Sequence, residues 1–166
     1  MEVKLRPWKM NDLVDLVRAA NNAKIAQFMT DQFPYPYTET KGRDFIEMTL
    51  AHQPSQILAI ELEGIAVGGI GIHPESDIRK LNAELGYWLA EDYWGQGIIS
   101  LAIRQMVSYA FSTFAIDRIY AIPFENNPAS QRVLEKNGFK LEFRLKKTLI
   151  KNGVKLDELI YALRRN

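Results

Sequence analysis

Apolar positions along the chain repeat with two periods, one typical of helices and one typical of strands. Leu13, Leu16 and Val17 follow a helical spacing, and a longer helical pattern runs from 98 to 114. The segment from 56 to 62 is instead largely apolar and β-branched. The patterns predict strands at 3–7, 56–62, 65–73, 81–89, 118–124, 141–150 and 154–163, and helices at 13–20, 38–50, 98–114 and 127–137.

Turn and cap residues mark the ends of these elements. Glu63-Gly64 reads as a tight turn, and Asn152-Gly153 is the strongest short hairpin signal in the chain. Asn127 can cap a helix that starts at Pro128, and Gly138 can end it. The chain contains no linker, repeat or low-complexity tract. We therefore expect one mixed α/β (α+β) domain over residues 1–166, built on a largely antiparallel sheet.

Composition narrows the classes of function. The net charge is +1, which gives no basic patch, so we expect no nucleic-acid partner. The chain has no cysteine and two histidines, which argues against thiolate nucleophiles, disulfides and a metal site. The start of the chain is charged at every second residue, and no apolar run approaches the ~20 residues of a membrane helix. We expect a cytoplasmic protein with no membrane partner.

The segment from Trp94 to Ile98 places two glycines between a strand pattern and a helix pattern. Glycine lets backbone N–H groups approach a ligand, and a helix N-terminus adds unpaired donors, so a diphosphate would fit here. On the glycines alone, a simple strand-to-helix turn is the more common interpretation of this segment. A Walker loop is excluded because no Gly-Lys-Ser/Thr follows. The glycines at 68–71 lie inside a strand pattern and predict a bulge or close packing.

Two segments carry a resemblance to a known family. The run 84–89 followed by Tyr93-Trp94-Gly95-Gln96-Gly97 resembles the acetyl-coenzyme A motif of the GNAT superfamily of N-acetyltransferases. The run from Asn127 to Phe139 is similar to the second GNAT motif, in the form found in RimJ/RimL-type ribosomal-protein acetyltransferases. The opening Leu5-Arg6-Pro7 and the ending with Asp157 and Tyr161 also fit that branch.

The resemblance implies a fold and a cofactor site. It implies a splayed sheet of about seven strands with about four helices. The pantetheine arm of acetyl-CoA would lie between the strands that end near Leu89 and Phe124, and the diphosphate would lie on the amides of 96–100. Relatives often form dimers, so a homodimer is one expected state. The expected acetyl-CoA contacts are Trp88, Leu89, Trp94, Gly95, Gln96, Gly97, Ile98, Ile99, Ser100, Asn127 and Ser130.

Three groups are candidates for the chemistry of acetyl transfer. Alternation along the strand places Glu84 and Gly86 on one face, so Glu84 could act as a base beside space for an acceptor. An ion pair with a nearby Lys or Arg is the equally weighted alternative for Glu84. The Leu89 backbone N–H suits an oxyanion. Ser130 could orient or protonate the leaving thiolate, or could merely occupy a helix first turn.

The sequence departs from the family at two positions. Many relatives have a tyrosine general acid where Leu134 stands, and leucine has no proton to give. A small residue usually stands where Ile99 does, so its branched side chain could crowd a phosphate.

A proline-stiffened aromatic loop precedes the second long helix. Its rings, Phe33, Tyr35 and Tyr37, could form an acceptor wall, although covering the sheet is the more common use of such rings. His73 follows a strand pattern and suits packing or capping better than catalysis.

We therefore expect an acetyl-CoA-dependent N-acetyltransferase that transfers directly to a primary amine in a ternary complex. A protein or peptide N-terminal amine is the first expectation. A small amine such as a polyamine, an amino sugar or an antibiotic is the second. The third is a coenzyme A-binding sensor without catalysis, which Leu134 and Ile99 would favour.

Overall fold

The computed structural model describes all residues from 1 to 166. Its seven strands form one sheet in the order β1-β2-β3-β4-β5-β7-β6. Neighbouring strands are antiparallel except β4 and β5, which are parallel. The strands are β1 (Val3–Pro7), β2 (Ile57–Leu62), β3 (Ile65–Pro74), β4 (Asn82–Leu89), β5 (Arg118–Ala121), β6 (Lys140–Lys151) and β7 (Val154–Arg164).

The two predicted hairpin turns are confirmed. Glu63 and Gly64 have φ of 49° and 85°, and Asn152 and Gly153 have φ of 49° and 78°. Positive φ at both central residues is the two-residue turn whose twist matches that of the flanking strands. These turns set the register of β2 against β3 and of β6 against β7.

Five α-helices flank the sheet: α1 (Leu13–Ala20), α2 (Ala23–Ala26), α3 (Glu39–Leu50), α4 (Ile98–Thr113) and α5 (Pro128–Lys136). The additional helix relative to the expected four is the single turn α2. Thr38 caps α3 by accepting from the Lys41 N–H, as its position before a helical pattern predicts. No helix combines the length and apolar character needed to cross a membrane.

Two apolar cores lie on opposite faces of the sheet. The larger includes Ile103 and Met106 of α4 and Leu134 of α5, and the smaller includes Leu16 of α1, Ile46 of α3 and Trp8. Met48 and Leu50 of α3 are apolar but exposed. The buried face of α3 runs instead through Gly42, Ile46 and Thr49.

The sheet opens between β4 and β5. The two strands pair only at Asn82, Ala83 and Glu84, while β4 continues to Leu89 and β5 ends at Ala121. The edge of β4 beyond Glu84 therefore has no strand partner on this side. Helices α4 and α5 begin near the open end of this gap.

Candidate active site

A backbone donor at the end of β4 points into the gap between β4 and β5. The Ala90 N–H donates to the Val67 carbonyl at 2.8 Å, so it points toward β3. Successive N–H groups alternate in direction along a strand, and the Leu89 N–H therefore points away from β3, into the gap. The Leu89 carbonyl accepts from the Trp94 indole at 2.8 Å. Leu89 thus presents the donor that the oxyanion hypothesis requires.

Six consecutive backbone N–H groups, from Gly95 to Ser100, donate to no protein acceptor. The first helical bond of α4 is donated by Leu101 to the Gly97 carbonyl. Orphan donors at a helix N-terminus, together with the positive end of the helix dipole, form an anion site. These donors match the chemistry of the acceptor oxygens of a diphosphate.

Glycine is required in this turn by backbone geometry. Gly95 and Gly97 have φ of 74° and 77°, a left-handed conformation that side chains disfavour. Gly97 also caps α4 without a side-chain hydrogen bond. The two glycines turn the chain sharply at the start of α4, where the amides of Gln96, Ile98 and Ile99 have no protein acceptor.

Two further residues expected to contact acetyl-CoA, Ile99 and Trp88, pack their side chains in the cores. Ile99 packs its side chain against the larger core, so it leaves the turn uncrowded. Trp88 is 8% exposed and packs its ring in the smaller core against Phe33. The Trp88 side chain thus has a packing role, and a contact of this residue with acetyl-CoA would involve its backbone.

A basic cavity adjoins the glycine turn, and the sequence patterns missed it. It has a volume of about 500 Å³ and lies between the N-terminal half of α4 and the exposed side of α5. Three cations and no acidic residue line it. None of the three cations forms a salt bridge within the chain, although Arg104 donates to Asn137 Oδ1 at 3.2 Å. The cations are Arg104, Arg132 and Lys136.

Ser130 lies in the first turn of α5, beside the gap. Its N–H donates to Asn127 Oδ1 at 3.3 Å, which confirms Asn127 as the helix cap. Its hydroxyl is 2.6 Å from the phenol of Tyr87 on β4, a contact that sequence reasoning missed. Leu134, one turn further along α5, is 0% exposed within the larger core. No hydroxyl from α5 therefore stands where the family's tyrosine would.

Glu84 is half-buried at the last point where β4 and β5 pair. Its in-register neighbours are His73 on β3 and Tyr120 on β5, and no Lys or Arg forms a salt bridge with it. Burial raises the pKa of the Glu84 carboxyl, and the nearby carboxylates of Glu75 and Glu158 raise it further. A base with a raised pKa suits proton removal near neutral pH. The ion-pair alternative is not found.

Not all of the aromatic rings of the loop that contains Phe33, Tyr35 and Tyr37 are free to line the acceptor side. A Cβ at Gly86 would have no neighbouring atom within 4 Å, so space remains beside Glu84. Tyr37 is 4% exposed in the smaller core, and Phe33 packs on it at 5.4 Å between ring centroids. The structure thus corrects the wall hypothesis for Tyr37 and gives it a packing role. Tyr35 is 59% exposed.

Two relatives each match a little over half of the chain. The uncharacterised N-acetyltransferase YoaA of Bacillus subtilis (strain 168) is 36% identical over 97 residues, 58% of this chain and 54% of YoaA. The ribosomal-protein-serine acetyltransferase of Escherichia coli (strain K12) is 37% identical over 95 residues, 56% of this chain and 53% of that enzyme. In these matches the chain spans about half the length of its curated relatives.

Likeness in three dimensions covers nearly the whole chain. RimL, a ribosomal L7/L12 alpha-N-protein acetyltransferase solved in complex with coenzyme A, superposes with a TM-score of 0.86 at 25% identity. The superposition covers 98% of this chain and 93% of RimL, which confirms the predicted fold. The family described as the acetyltransferase (GNAT) domain matches residues 2–140. The chain belongs to the GNAT acetyltransferase family.

Proposed function

We propose that the protein is an acetyl-CoA-dependent N-acetyltransferase whose acceptor is a primary amine, with a peptide N-terminal amine as the main substrate class. The observation that carries this proposal is the row of six unpaired amides from Gly95 to Ser100, which adjoins the gap in the sheet. The amides would bind the diphosphate of acetyl-CoA, and the gap would receive its pantetheine arm. The basic cavity formed by Arg104, Arg132 and Lys136 supports a further phosphate contact.

The chain has groups for each demand of the reaction. Direct transfer in a ternary complex fits a chain without cysteine, since no thiol is available to carry the acetyl group. Glu84 would accept the proton of the amine, and the Leu89 N–H would stabilise the carbonyl oxygen as it becomes negative. Ser130 would contact the leaving sulfur.

The expected acceptor follows from the cost of a neutral amine. A lysine amine with a pKa of about 10.4 costs roughly 4 to 5 kcal/mol to neutralise at pH 7, whereas an α-amine near 7.7 to 8 costs about 1 kcal/mol. Burial and two neighbouring carboxylates raise the pKa of Glu84, but a carboxylate remains a far weaker base than a lysine amine. An α-amine is therefore the acceptor that a single carboxylate with a raised pKa can deprotonate most readily.

A small cationic amine is the second candidate. The carboxylates of Glu75 and Glu158 lie close enough to raise the pKa of Glu84, and Glu158, unlike Glu75, forms no ion pair. This negative face favours an acceptor with additional positive charge, such as a polyamine.

Thiol release from acetyl-CoA, measured with a panel of peptides and small amines, tests the proposal, and mass spectrometry identifies the acetylated acceptor. We expect the highest kcat/KM with peptides that carry a free N-terminus. Faster turnover of polyamines would select the second candidate. Tight coenzyme A binding without thiol release for any acceptor would contradict catalysis and favour the sensor.

We also propose a homodimer that forms through β6. This strand is the last in the sheet and exposes Leu141, Phe143 and Leu145. An unpaired edge with apolar side chains favours pairing with another strand. Antiparallel self-pairing about Phe143 would place Glu142 opposite Arg144 of the second copy. Sedimentation equilibrium tests this, and a monomer at every concentration would contradict it.

A further inference from the structure

The hydrogen bond between Tyr87 and Ser130 joins the two sides of the gap. Tyr87 leaves β4 on the face opposite Glu84, half-buried against the larger core. Ser130 belongs to α5, which begins beyond the end of β5. The two oxygens are 2.6 Å apart, a short bond for two neutral hydroxyls. The bond therefore fixes the Ser130 hydroxyl relative to the strand that presents the Leu89 N–H.

The direction of this bond follows from hydrogen-bond satisfaction. Ser130 Oγ is the only hydrogen-bond partner of the Tyr87 phenol. If Ser130 donated, the phenol proton would have no acceptor within the protein, whereas a Ser130 proton freed from this bond lies beside the gap, where a ligand can accept it. A hydroxyl carries one donor and two acceptor sites. When Tyr87 donates, the Ser130 proton remains available to a group in the gap.

We propose that Tyr87 is a positioning residue of acetyl transfer: its phenol donates to Ser130 Oγ and thereby directs the Ser130 proton at the leaving sulfur. This proposal rests on the proposed function. It also explains how the chain can have Leu134 where many relatives have a tyrosine. Here the tyrosine hydroxyl near the gap comes from β4 and not from α5. Ser130 touches the reacting atoms, and Tyr87 acts through it.

The magnitudes favour a hydrogen bond to sulfur over proton transfer from the phenol. As the amine nitrogen bonds to the carbonyl carbon, its proton passes to Glu84, the carbon–sulfur bond breaks and sulfur leaves with the electron pair. Burial raises the pKa of Tyr87 to about 12. An ordinary thiol has a pKa near 8.5, so proton transfer from Tyr87 to the thiolate is unfavourable by roughly 3,000-fold. The thiolate is stabilised by Ser130 and takes a proton from water after release.

Four variants test the pair. Tyr87→Phe removes only the phenol oxygen, Ser130→Ala removes the proposed donor, and the double variant removes both. Tyr109→Phe is the matched control, because its phenol also forms a 2.6 Å hydrogen bond, to the Ser55 carbonyl, away from the gap. The measurements are kcat, KM for acetyl-CoA, coenzyme A affinity and Tm.

We expect Tyr87→Phe to lower kcat about 3- to 10-fold, since it loses the orientation that one hydrogen bond gives. KM for acetyl-CoA and coenzyme A affinity stay within about twofold. Ser130→Ala lowers kcat at least as much, and the double variant is no slower than Ser130→Ala, because the two residues act as one unit. Tyr109→Phe keeps wild-type kcat and shows the same small loss of Tm as Tyr87→Phe.

Three results would overturn the inference while leaving the proposed function intact. They are a kcat of Tyr87→Phe equal to that of Tyr109→Phe, losses that multiply in the double variant, and a loss confined to KM. A wild-type protein that releases no thiol with any acceptor would instead overturn the proposed function.

Discussion

Gly86 offers a sharp test of where the acceptor binds. This glycine pairs with Gly71 across β3 and β4, and a Cβ built on it meets no atom within 4 Å. A side chain at this position would point to the same face of β4 as Glu84, into the space that we assign to the amine. Gly86→Ala therefore adds one methyl group to the acceptor site and alters no contact inside the protein.

The expected magnitudes have opposite signs for stability and activity. Alanine in place of glycine within a strand stabilises by roughly 0.5 to 1 kcal/mol, which corresponds to a rise in Tm of about 1 to 4 °C for a chain of this size. A methyl group in space used by a substrate costs about 1 to 3 kcal/mol, or about 10- to 200-fold in kcat/KM. KM for acetyl-CoA should change less than about twofold.

Gly68→Ala is the matched control on β3. Its Cβ would lie 2.4 Å from the Trp88 carbonyl oxygen and 3.1 Å from the Leu89 Cα. Relieving that overlap costs about 1 to 3 kcal/mol and displaces the backbone that carries the Leu89 N–H. We expect a lower Tm and a lower kcat with every acceptor.

Steady-state kinetics with each substrate varied in turn, together with thermal unfolding, separate the two glycines. If Gly86→Ala retained the wild-type kcat/KM for every acceptor while Tm rose, the acceptor would not pass over Gly86, and the assignment of this face would be wrong.

Three further variants probe the chemistry, the donor and the fold. Glu84→Gln should lower kcat about 100-fold or more and remove the acidic limb of the kcat/KM–pH profile. In the wild type this limb should lie above the pH range of an ordinary glutamate, because burial raises the Glu84 pKa. An unchanged limb would exclude Glu84 as the base. Replacing Arg132 and Lys136 with Gln should raise KM for acetyl-CoA about 2- to 30-fold, since exposed cations contribute about 0.2 to 1 kcal/mol each. KM for dephospho-acetyl-CoA, which lacks the 3′-phosphate, should stay unchanged. Equal effects on both donors would show that this cavity does not bind the 3′-phosphate. Asp157 accepts from the Lys147 N–H and from Arg144, which hold its pKa below the usual range, so its contribution to stability is present at neutral pH and is lost as the pH falls through that lowered pKa. Asp157→Asn should therefore lower Tm at pH 7 and converge with the wild type in acid, and a constant difference in Tm would contradict the linkage.

Features set by local backbone chemistry could be predicted from the sequence. Asn152-Gly153 specifies its hairpin because both residues accept positive φ, and Gly95 and Gly97 specify the turn for the same reason. Strand alternation predicts that Glu84 and Gly86 share one face, opposite Leu85 and Tyr87, and the structure shows this arrangement, since the side-chain period of a strand is two.

Features that depend on two distant segments could not be predicted. The basic cavity joins residues of α4 and α5, and the Tyr87–Ser130 bond joins a strand to a helix 43 residues later. The buried face of α3 includes Gly42, because α1 packs closely over the space that a side chain would fill there. The burial of Tyr37 likewise depends on the neighbouring rings of Phe33 and Trp88.

The amide row from Gly95 to Ser100 can be observed directly by titrating ¹⁵N-labelled protein with coenzyme A and following the backbone amide resonances. The account predicts that these six resonances move together, with the largest shifts in the chain, and that the Leu89 amide also moves. The account would be contradicted if coenzyme A bound and left the six resonances in place. It would also be contradicted if these resonances did not move at any concentration of coenzyme A.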